Sequence, residues 1–453
     1  MSKKIMVTCF IFVLMFVCVS VFAQQMQIPR APANIRNTLS GMDIVIGNWW
    51  GDYNVDTYRP RSNFDEIQLD YRKRLLQTNN FKMQDRNIGG WGEIPQLAAT
   101  SIMAGRPVAT VFRMQADWAL ALYRQNLLYP VSTRRVINWS GSDPVEWNRI
   151  VTSAFTFNNR AYAFTDGYGG SQQASVVFWN KRLFREAGLD PNLPYDLQKA
   201  GTWTWEKFME ISKQLTRDIN NDGIIDTYAM PSDFSQDILE ALVSSNGGMF
   251  VDRNRQGKLV NATRRPEFVE ALRFYMRLRD EGVMKPKPEG IQWDWFLSEF
   301  TDGNVAMLMA QQHRAGDFRT MRDDWGMVLP PKGPRARNYV VFSSENVLVI
   351  PASGYTDAQI DAILWAVQAW LTPLEADWRL AQYPIYRDRR AVDETLVLIR
   401  DQRLWQWKFH LHVPGLNIGN IAWEIWWHDG EPAQLIETVS QRWNGLIEDA
   451  NGL

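Results

Sequence analysis

Apolar runs alternate with amphipathic stretches along most of this chain. Residues 42–47 form a short apolar run that predicts a buried strand, and Ile67, Tyr71 and Leu75 then recur at helical spacing. The next predicted elements are a helix over 64–77, a helix over 94–104, a strand over 107–112 and a helix over 116–125. This alternation predicts an α/β fold with a parallel sheet, in which ligands bind at the carboxyl ends of the strands.

The second part of the chain repeats the alternation. Its predicted strands are 176–179, 305–309 and 346–350, and its predicted helices are 181–187, 205–215, 238–245, 266–281, 293–301 and 356–372. Thr204 precedes the helix over 205–215 and offers a hydroxyl that can cap its first turn. With 453 residues, the chain is long enough for two lobes of ordinary domain size.

The first 23 residues are typical of a secretory signal peptide. Lys3 and Lys4 precede an apolar run, and small residues lead up to a cleavage position after Ala23. We therefore expect export to the periplasm or to the outer face of the cytoplasmic membrane. A retained anchor and lipidation at Cys18 are the weaker alternatives, because no basic cluster follows the run and Cys18 lies inside it.

Composition excludes several classes of site and partner. Both cysteines, Cys9 and Cys18, lie in the signal peptide, so the mature chain would have no disulfide, thiolate metal site or cysteine nucleophile. Losing Lys3 and Lys4 leaves 47 of the 49 basic residues against 50 acidic ones, a net charge of −3. A nearly neutral chain without basic runs argues against a nucleic-acid partner.

Tryptophan is unusually frequent, with 21 residues. Most of these side chains are expected to fill cores, but several stand in pairs among polar residues, at 49–50, 203 and 205, 293 and 295, 405 and 407, and 423 with 426–427. An indole offers a flat, rigid, apolar face with one N–H donor at its edge, against which a sugar ring can place its C–H groups. The pairs are therefore candidates for carbohydrate contacts.

Three motifs follow one another between Val176 and Met230. A strand runs into Trp179-Asn180-Lys181 and a short helix, T-W-T-W-E begins a helix at 202–206, and an Asp/Asn-rich turn covers 218–226. FLSEFTDGNVAMLM (296–309) and DDWGMVLPPKGP (323–334) come later. Each motif is degenerate, but their order over residues 42–449 resembles the carbohydrate-type extracellular solute-binding proteins of ABC importers, the family that includes maltose-binding protein.

The resemblance implies a two-lobed periplasmic-binding-protein fold, type II-like, with three interlobe crossings and a ligand cleft between the lobes. Applied to this chain, it predicts a signal peptide over 1–23, a first lobe of 38–155 plus 302–342, and a second lobe of 156–301 plus 343–453. The function that it implies is capture of a carbohydrate by lobe closure, followed by delivery to an ABC transporter permease. Such a protein is not an enzyme, needs no cofactor and is expected to be a monomer.

Two other functions stay open at this point. A secreted glycoside hydrolase would also be rich in tryptophan, but it needs a pair of carboxylates, and no pair stands in a recognisable acid/nucleophile context. The motifs of zinc proteases, serine hydrolases and P-loop enzymes are absent. A binding protein that feeds a sensor or chemotaxis partner would have the same sequence features as a transport receptor.

Candidate ligand-binding residues of the first lobe follow its predicted strands. Trp49, Trp50 and Asp52 come after the first strand, and Arg113, Asp117 and Trp118 come after a later one. Because the carboxyl ends of parallel strands meet at one edge of the sheet, we expect these residues to face the cleft. The alternative for Asp117 is that it only caps the helix that begins near Trp118.

The remaining ligand-binding candidates lie at the crossings and in the second lobe. They are Asp166, Tyr168, Asp233, His313, Arg314, Glu345, Asn346 and Trp423. The sequence around His313 has no tryptophan where many relatives carry one, which argues against a simple maltose-like ligand. Arg314 could pair with an acidic group on the ligand, or it could be a solvated loop cation.

The turn over 218–226 resembles the first part of a calcium loop. Asp218, Asn220, Asp222, Ile224 (through its carbonyl) and Asp226 would supply oxygen ligands, and Gly223 stands at the sixth position. The twelfth position is Ala229, so the usual bidentate glutamate is missing. The sequence leaves a structural calcium site and a turn held by its own Asx hydrogen bonds as alternatives.

Overall fold

The computed structural model describes residues 27–139, 145–167, 173–232, 237–290, 294–343, 345–374, 378–427 and 431–452. The predicted signal peptide and two of the site candidates, Tyr168 and Asp233, lie outside these ranges. The side chains of Trp423 and of residues 425–427 are likewise outside the description.

Helices cover much of the described chain. They are α1 (Ala33–Leu39), α2 (Asn63–Asn79), α3 (Ile94–Met103), α4 (Ala116–Arg124), α5 (Arg149–Ala154), α6 (Lys181–Glu186), α7 (Leu193–Ala200), α8 (Trp205–Leu215), α9 (Asp237–Ser245), α10 (Pro266–Asp280), α11 (Trp295–Thr301), α12 (Asp357–Leu371), α13 (Arg379–Tyr386), α14 (Val397–Ile399), α15 (Gly419–Trp427) and α16 (Pro432–Gly452). No helix in the described part of the chain is both long and apolar enough to cross a membrane.

Strands form two main sheets and several short pairs. They are β1 (Asp43–Asn48), β2 (Lys82–Asn87), β3 (Val111–Gln115), β4 (Thr156–Phe157), β5 (Arg160–Ala161), β6 (Ala163–Phe164), β7 (Ser175–Asn180), β8 (Met230–Pro231), β9 (Val251–Arg253), β10 (Leu259–Asn261), β11 (Met284–Lys285), β12 (Met307–Gln311), β13 (Trp325–Val328), β14 (Val341–Phe342), β15 (Asn346–Val349) and β16 (Trp405–Gln406).

The first sheet has the strand order β2-β1-β3-β15-β6. β1 pairs in parallel with β2 and β3, as the sequence pattern predicts, whereas β15 is antiparallel to β3 and β6. The reversal follows from the chain path, because β15 starts beside the carboxyl end of β3, where Asn346 pairs with Gln115, and runs back into the lobe. The carboxyl ends of β1 and β3 and the start of β15 therefore share one edge.

The second sheet is antiparallel, with the order β12-β7-β13. Its packing needs a glycine: Gly326 on β13 faces Trp179 on β7, and a Cβ at Gly326 would lie 2.2 Å from the Cζ2 atom of Trp179. The indole therefore occupies the space that any larger side chain would need.

The pairing contradicts part of the predicted division into lobes. Residues 302–342 were expected in the first lobe, but β12 and β13 pair with β7 of the second sheet. In the opposite sense, β15 and α12 belong with the first sheet, and the Tyr71 hydroxyl of α2 donates a hydrogen bond to the Ala369 carbonyl at 2.8 Å. The run Val305–Ala310 is wholly apolar, so it predicts a buried strand without specifying which sheet the strand joins.

The chain passes between the two sheets three times. It crosses between β6 and β7, between β13 and β15, and between α12 and α13, whose Tyr386 packs in the second-lobe core. β14 and β16 pair in parallel near the second crossing and bring the C-terminal segment against it. Three crossings agree with the predicted two-lobed fold.

Candidate functional site

Four tryptophans form a cluster at the carboxyl edge of the first sheet. The Trp49 ring lies edge-on to Trp50 and Trp118, with centroids 4.7 and 5.3 Å apart, and Trp91 meets Trp118 at 5.2 Å. Trp118 is buried, whereas Trp50 and Trp91 are 54% and 57% exposed. We call these four residues the aromatic platform. It keeps two large apolar side chains in water, which is typical of a binding surface.

The end of β1 explains the position of Trp49 and Trp50. The Asn48 side-chain oxygen accepts hydrogen bonds from the N–H groups of Trp50 and Gly51, at 2.8 and 3.0 Å, and turns the chain at the strand end. Asp52, predicted to contact ligand, is exposed and accepts the N–H of Asn87 at 2.7 Å. Its carboxylate therefore holds the ends of β1 and β2 together.

Arg113 lies beneath this platform. Its guanidinium carbon is 5.8 Å from the centre of the Trp50 ring. Burial raises the pKa of Asp85, and the positive charges of Arg113 and Arg72 oppose that rise. Arg113 thus lies within β3, not after it, and it acts on Asp85 and on the Trp50 ring.

Next to the platform lies a cluster of charged residues from four parts of the chain. Lys408 is 1% exposed, and its Nζ lies 2.5 Å from Oε1 of Glu345, which precedes β15. The same ammonium group pairs with Glu240 on α9, which is 2% exposed. Asp117, in the first turn of α4, is close enough to Glu345 for the two carboxylates to repel each other. We call these four residues the charged cluster.

The pKa shifts in the charged cluster have clear physical causes. Desolvation raises the pKa of Asp117 to about 6, and the negative charge of Glu345 adds to the rise. Asp117 is nevertheless exposed, so a ligand can reach this residue. Burial also raises the pKa of Glu240, against the opposing charge of Lys408.

Lys408 holds its positive charge firmly. Burial alone would lower the pKa of its ammonium group, but the carboxylates of Glu240 and Glu345 outweigh burial and raise that pKa. One ammonium group therefore pairs with two buried carboxylates, and the carboxylate of Asp117 lies beside them.

The other sequence-predicted residues fall into different environments. Gln173 accepts the backbone N–H groups of Glu345 and Asn346 at 2.7 and 3.2 Å, which places Asn346 beside the charged cluster. His313 is exposed, and Arg314 pairs with Asp317 at 3.4 Å within one short helical turn. Asp166 is partly buried and forms a β-bridge with Trp147.

Three residues of the site were missed in the sequence. Trp91 stands in the glycine-rich run Gly89 to Gly92, where a large aromatic residue was an available signal. Lys408 is a single charge within an aromatic run, and Glu240 is a single charge in the apolar face of a predicted helix. Their pairing could not be read from the sequence, because the two residues lie on separate elements far apart along the chain.

The acidic turn over 218–226 is held by hydrogen bonds between its own side chains and backbone. Asp218 accepts the N–H groups of Asp222 and Gly223, and the side chains of Asp222 and Asp226 accept those of Ile224 and Ile219. Ala229 at the twelfth position is fully buried. In the described part of the chain, no three acidic, histidine or cysteine side chains are grouped so as to hold a metal. The hydrogen bonds match the Asx-turn alternative.

A separate cavity of about 400 Å³ lies between α5 and the segment 247–253. Gln406, Trp407 and Phe409 also line it, whereas no residue of the aromatic platform or of the charged cluster does. None of the candidate ligand-binding residues predicted from the sequence lines this cavity, so the candidate site is the platform with the charged cluster.

Comparison with known proteins decides the family. A model of the bacterial extracellular solute-binding proteins matches residues 70–376, about two thirds of the chain. The chain belongs to this family. Membership in an extracellular family means that the solute-binding protein is exported. A search of curated protein sequences finds no match.

Solved structures with the same fold extend over nearly the whole chain. The cyclic α-maltosyl-1,6-maltose binding protein from Arthrobacter globiformis is 15% identical with a TM-score of 0.65, covering 90% of this chain and 100% of its own. UgpB from Mycobacterium tuberculosis, in complex with glycerophosphocholine, is 15% identical with a TM-score of 0.63, covering 90% and 98%. The ABC substrate-binding protein Lmo0181 from Listeria monocytogenes, in complex with cycloalternan, is 16% identical with a TM-score of 0.59, covering 90% and 100%. At these identities the likeness establishes the fold.

Proposed function

We propose that this solute-binding protein captures a carbohydrate between its lobes and delivers it to the permease of an ABC transporter. The aromatic platform is the observation that carries the proposal. Its exposed indole faces suit the C–H face of a sugar ring, and the exposed Asp117 can accept hydrogen bonds from the hydroxyl groups around the ring. Two of the similar structures are named for or bound to cyclic glucosaccharides, which supports the same ligand class.

Capture would proceed by closure of the two lobes. Trp50, Trp91 and Asp117 belong to the first lobe, Glu240 belongs to the second, and Glu345 lies at the crossing between them. A ligand that contacts both sides binds the closed form preferentially and therefore shifts the population towards it. A micromolar ligand would supply about −8 kcal/mol, enough to bias such an equilibrium strongly.

The proposal includes release of the sugar uncleaved and action as a monomer. One specific observation favours a hydrolase as the second candidate: Asp117, with its raised pKa, lies near Glu345. A glycosidase uses such a pair of carboxyl groups, one as the general acid and the other as the base or nucleophile. Against it, Glu345 is already paired with Lys408, which takes up the carboxylate that would have to act as base or nucleophile.

The test is calorimetric titration of the exported protein with a panel of mono- and oligosaccharides, followed by chromatography of each bound ligand. Trp50→Ala and Trp91→Ala should each weaken a hit by roughly tenfold, since one aromatic contact contributes about 1–1.5 kcal/mol. Ile67→Ala, at a comparably exposed apolar residue on α2, is the matched control and should leave the affinity unchanged.

Three results would contradict the proposal in different ways. A cleaved ligand would make the protein a hydrolase. A panel without any hit would mean that the solute is not a sugar. A hit that survives loss of both exposed tryptophans would place the sugar away from the platform.

A further inference from the structure

We propose that the preferred ligand is a saccharide that carries a protonated amino group, and that Asp117, next to the negative charge of Glu345, binds this group. The inference rests on the proposed function and names the ligand class of the same site. It concerns the charge balance of the cleft, the distribution of cations around it, and the aromatic surface beside it.

The charge balance leaves negative charge uncompensated at the cleft. Lys408 pairs with Glu240 and Glu345, so one positive charge serves two carboxylates. Asp117 adds a third carboxylate, and no cation contributes to its pKa, whereas Glu345 raises it. Lys408 compensates only one of the three carboxylates, so the four groups keep a net negative charge even though burial raises the pKa of Glu240, and the exposed Asp117 is the member that a ligand can reach.

The two arginines among the predicted ligand-binding residues act on other groups. Arg113 acts on Asp85 and lies under Trp50, and Arg314 pairs with Asp317. The internal segments outside the described ranges contain no lysine or arginine, and His428 is their only basic residue. These segments include five acidic residues, so their composition would not neutralise the site.

The platform beside Asp117 suits a cation as well as a sugar ring. Trp118 follows Asp117 directly, and its neighbour Trp91 exposes more than half of its surface. An indole face attracts an ammonium group, and a charge-assisted hydrogen bond to a carboxylate is about twice as strong as a neutral one. A neutral hydroxyl would leave the repulsion between Asp117 and Glu345 in place, and an anionic group would increase it.

The test compares saccharides that differ only in one substituent. The three β-1,4-linked trimers of glucosamine, N-acetylglucosamine and glucose share a backbone and carry an amine, an amide and a hydroxyl at the second carbon. Titrated near neutral pH, the glucosamine trimer should bind at least about tenfold more tightly than the glucose trimer, as expected for one hydrogen bond to a charged group. Trigalacturonate, an acidic trisaccharide that differs also in linkage, should bind most weakly.

Variants assign the preference to residues. Asp117→Asn keeps the shape of the side chain, removes its charge and should reduce the preference for the amine over the hydroxyl to less than about threefold. Asp52→Asn is the matched control, because Asp52 lies at the same edge but its carboxylate holds the Asn87 N–H. Unchanged melting temperatures would show that each variant is folded.

The outcomes separate this inference from the proposed function. Equal or tighter binding of the glucose trimer or of trigalacturonate would overturn the inference and leave carbohydrate capture intact. The same holds if the glucosamine trimer does not bind while another saccharide of the panel does. A preference that persists when Asp117→Asn and Glu345→Gln are combined would overturn the assigned residues. Failure of every saccharide would overturn the proposed function itself.

Discussion

His412 makes the stability of this protein sensitive to acid. Its side chain is buried, and its Nε2 atom accepts a hydrogen bond from the indole N–H of Trp407 at 2.9 Å. A protonated imidazole would present an N–H to that donor, so the folded protein must hold His412 neutral. Burial, aided by the charges of Arg253 and Arg124, lowers the pKa of His412 to about 3.

The size of the effect follows from the difference between the folded and unfolded pKa values. In the unfolded chain His412 titrates near 6.5. Its contribution is therefore complete above that value and is lost progressively as the pH falls towards 3. Between about pH 7.5 and about pH 5 the unfolded state gains close to one proton that the folded state does not gain. This difference lowers the free energy of unfolding by about 2 kcal/mol.

The assay is urea unfolding at these two pH values for the parent protein and for His412→Gln. A glutamine oxygen can still accept the Trp407 N–H but does not titrate, so the variant should lose about 2 kcal/mol less than the parent on acidification. His313→Gln, at an exposed histidine, should behave like the parent. If parent and His412→Gln lose the same free energy, His412 is not held neutral and the argument from burial is wrong.

Three further perturbations test other parts of the structure. Lys408→Met should lower the unfolding free energy by about 3–5 kcal/mol in chemical denaturation, because it leaves Glu240 and Glu345 buried without a cation; adding Glu240→Gln should restore part of the loss. Gly326→Ala should lower the melting temperature, with a cost of about 1–3 kcal/mol as the new Cβ displaces Trp179, and an unchanged melting curve would contradict the packing described for β13. Removal of divalent cations with EDTA should leave the melting temperature unchanged, whereas a decrease reversed by calcium would establish a site in the turn over 218–226.

Local signals in the sequence predicted many of the elements. The helix over 205–215 has the predicted bounds, and the Thr204 hydroxyl accepts the N–H of Lys207 as its cap. The helix predicted over 356–372 is present as Asp357–Leu371 and begins with a capping box formed by Thr356 and Gln359. These boundaries are set by neighbouring residues, so they can be read from a short window of sequence.

Elements that depend on distant partners were harder to predict. β2 has the sequence KMQDRN, and these mostly polar residues do not predict a strand. The segment forms an edge strand because β1 provides its hydrogen-bond partners. The sheet to which β12 and β13 belong was predicted wrongly for a related reason. The apolar residues of a buried strand indicate that both of its faces are covered, but they do not specify which strand lies beside it.

The candidate site likewise contains residues whose position the sequence predicted and residues that it did not. Trp49, Trp50 and Trp118 meet at the carboxyl edge of the first sheet, where the strand-end rule predicts them. The rule does not predict that the three indole rings touch one another, because their contact depends on the spacing of β1 and β3. Glu240 and Lys408 could not be predicted, because a buried ion pair is a property of two elements that meet only after folding.

Stability alone does not account for the charged cluster. Replacing a buried ion pair with apolar residues of similar volume is often neutral or stabilising, so a folded core alone would not require Glu240, Glu345 and Lys408. The cluster joins helix α9 of the second lobe, the crossing before β15 and the C-terminal segment, and it fixes Glu345 beside the solvent-accessible Asp117. A ligand that neutralises Asp117 would interact with the charges that connect the lobes, and its binding energy would then depend on how closely the two lobes approach each other. The same arrangement explains why the cleft carries excess negative charge in a chain whose overall charge is close to zero.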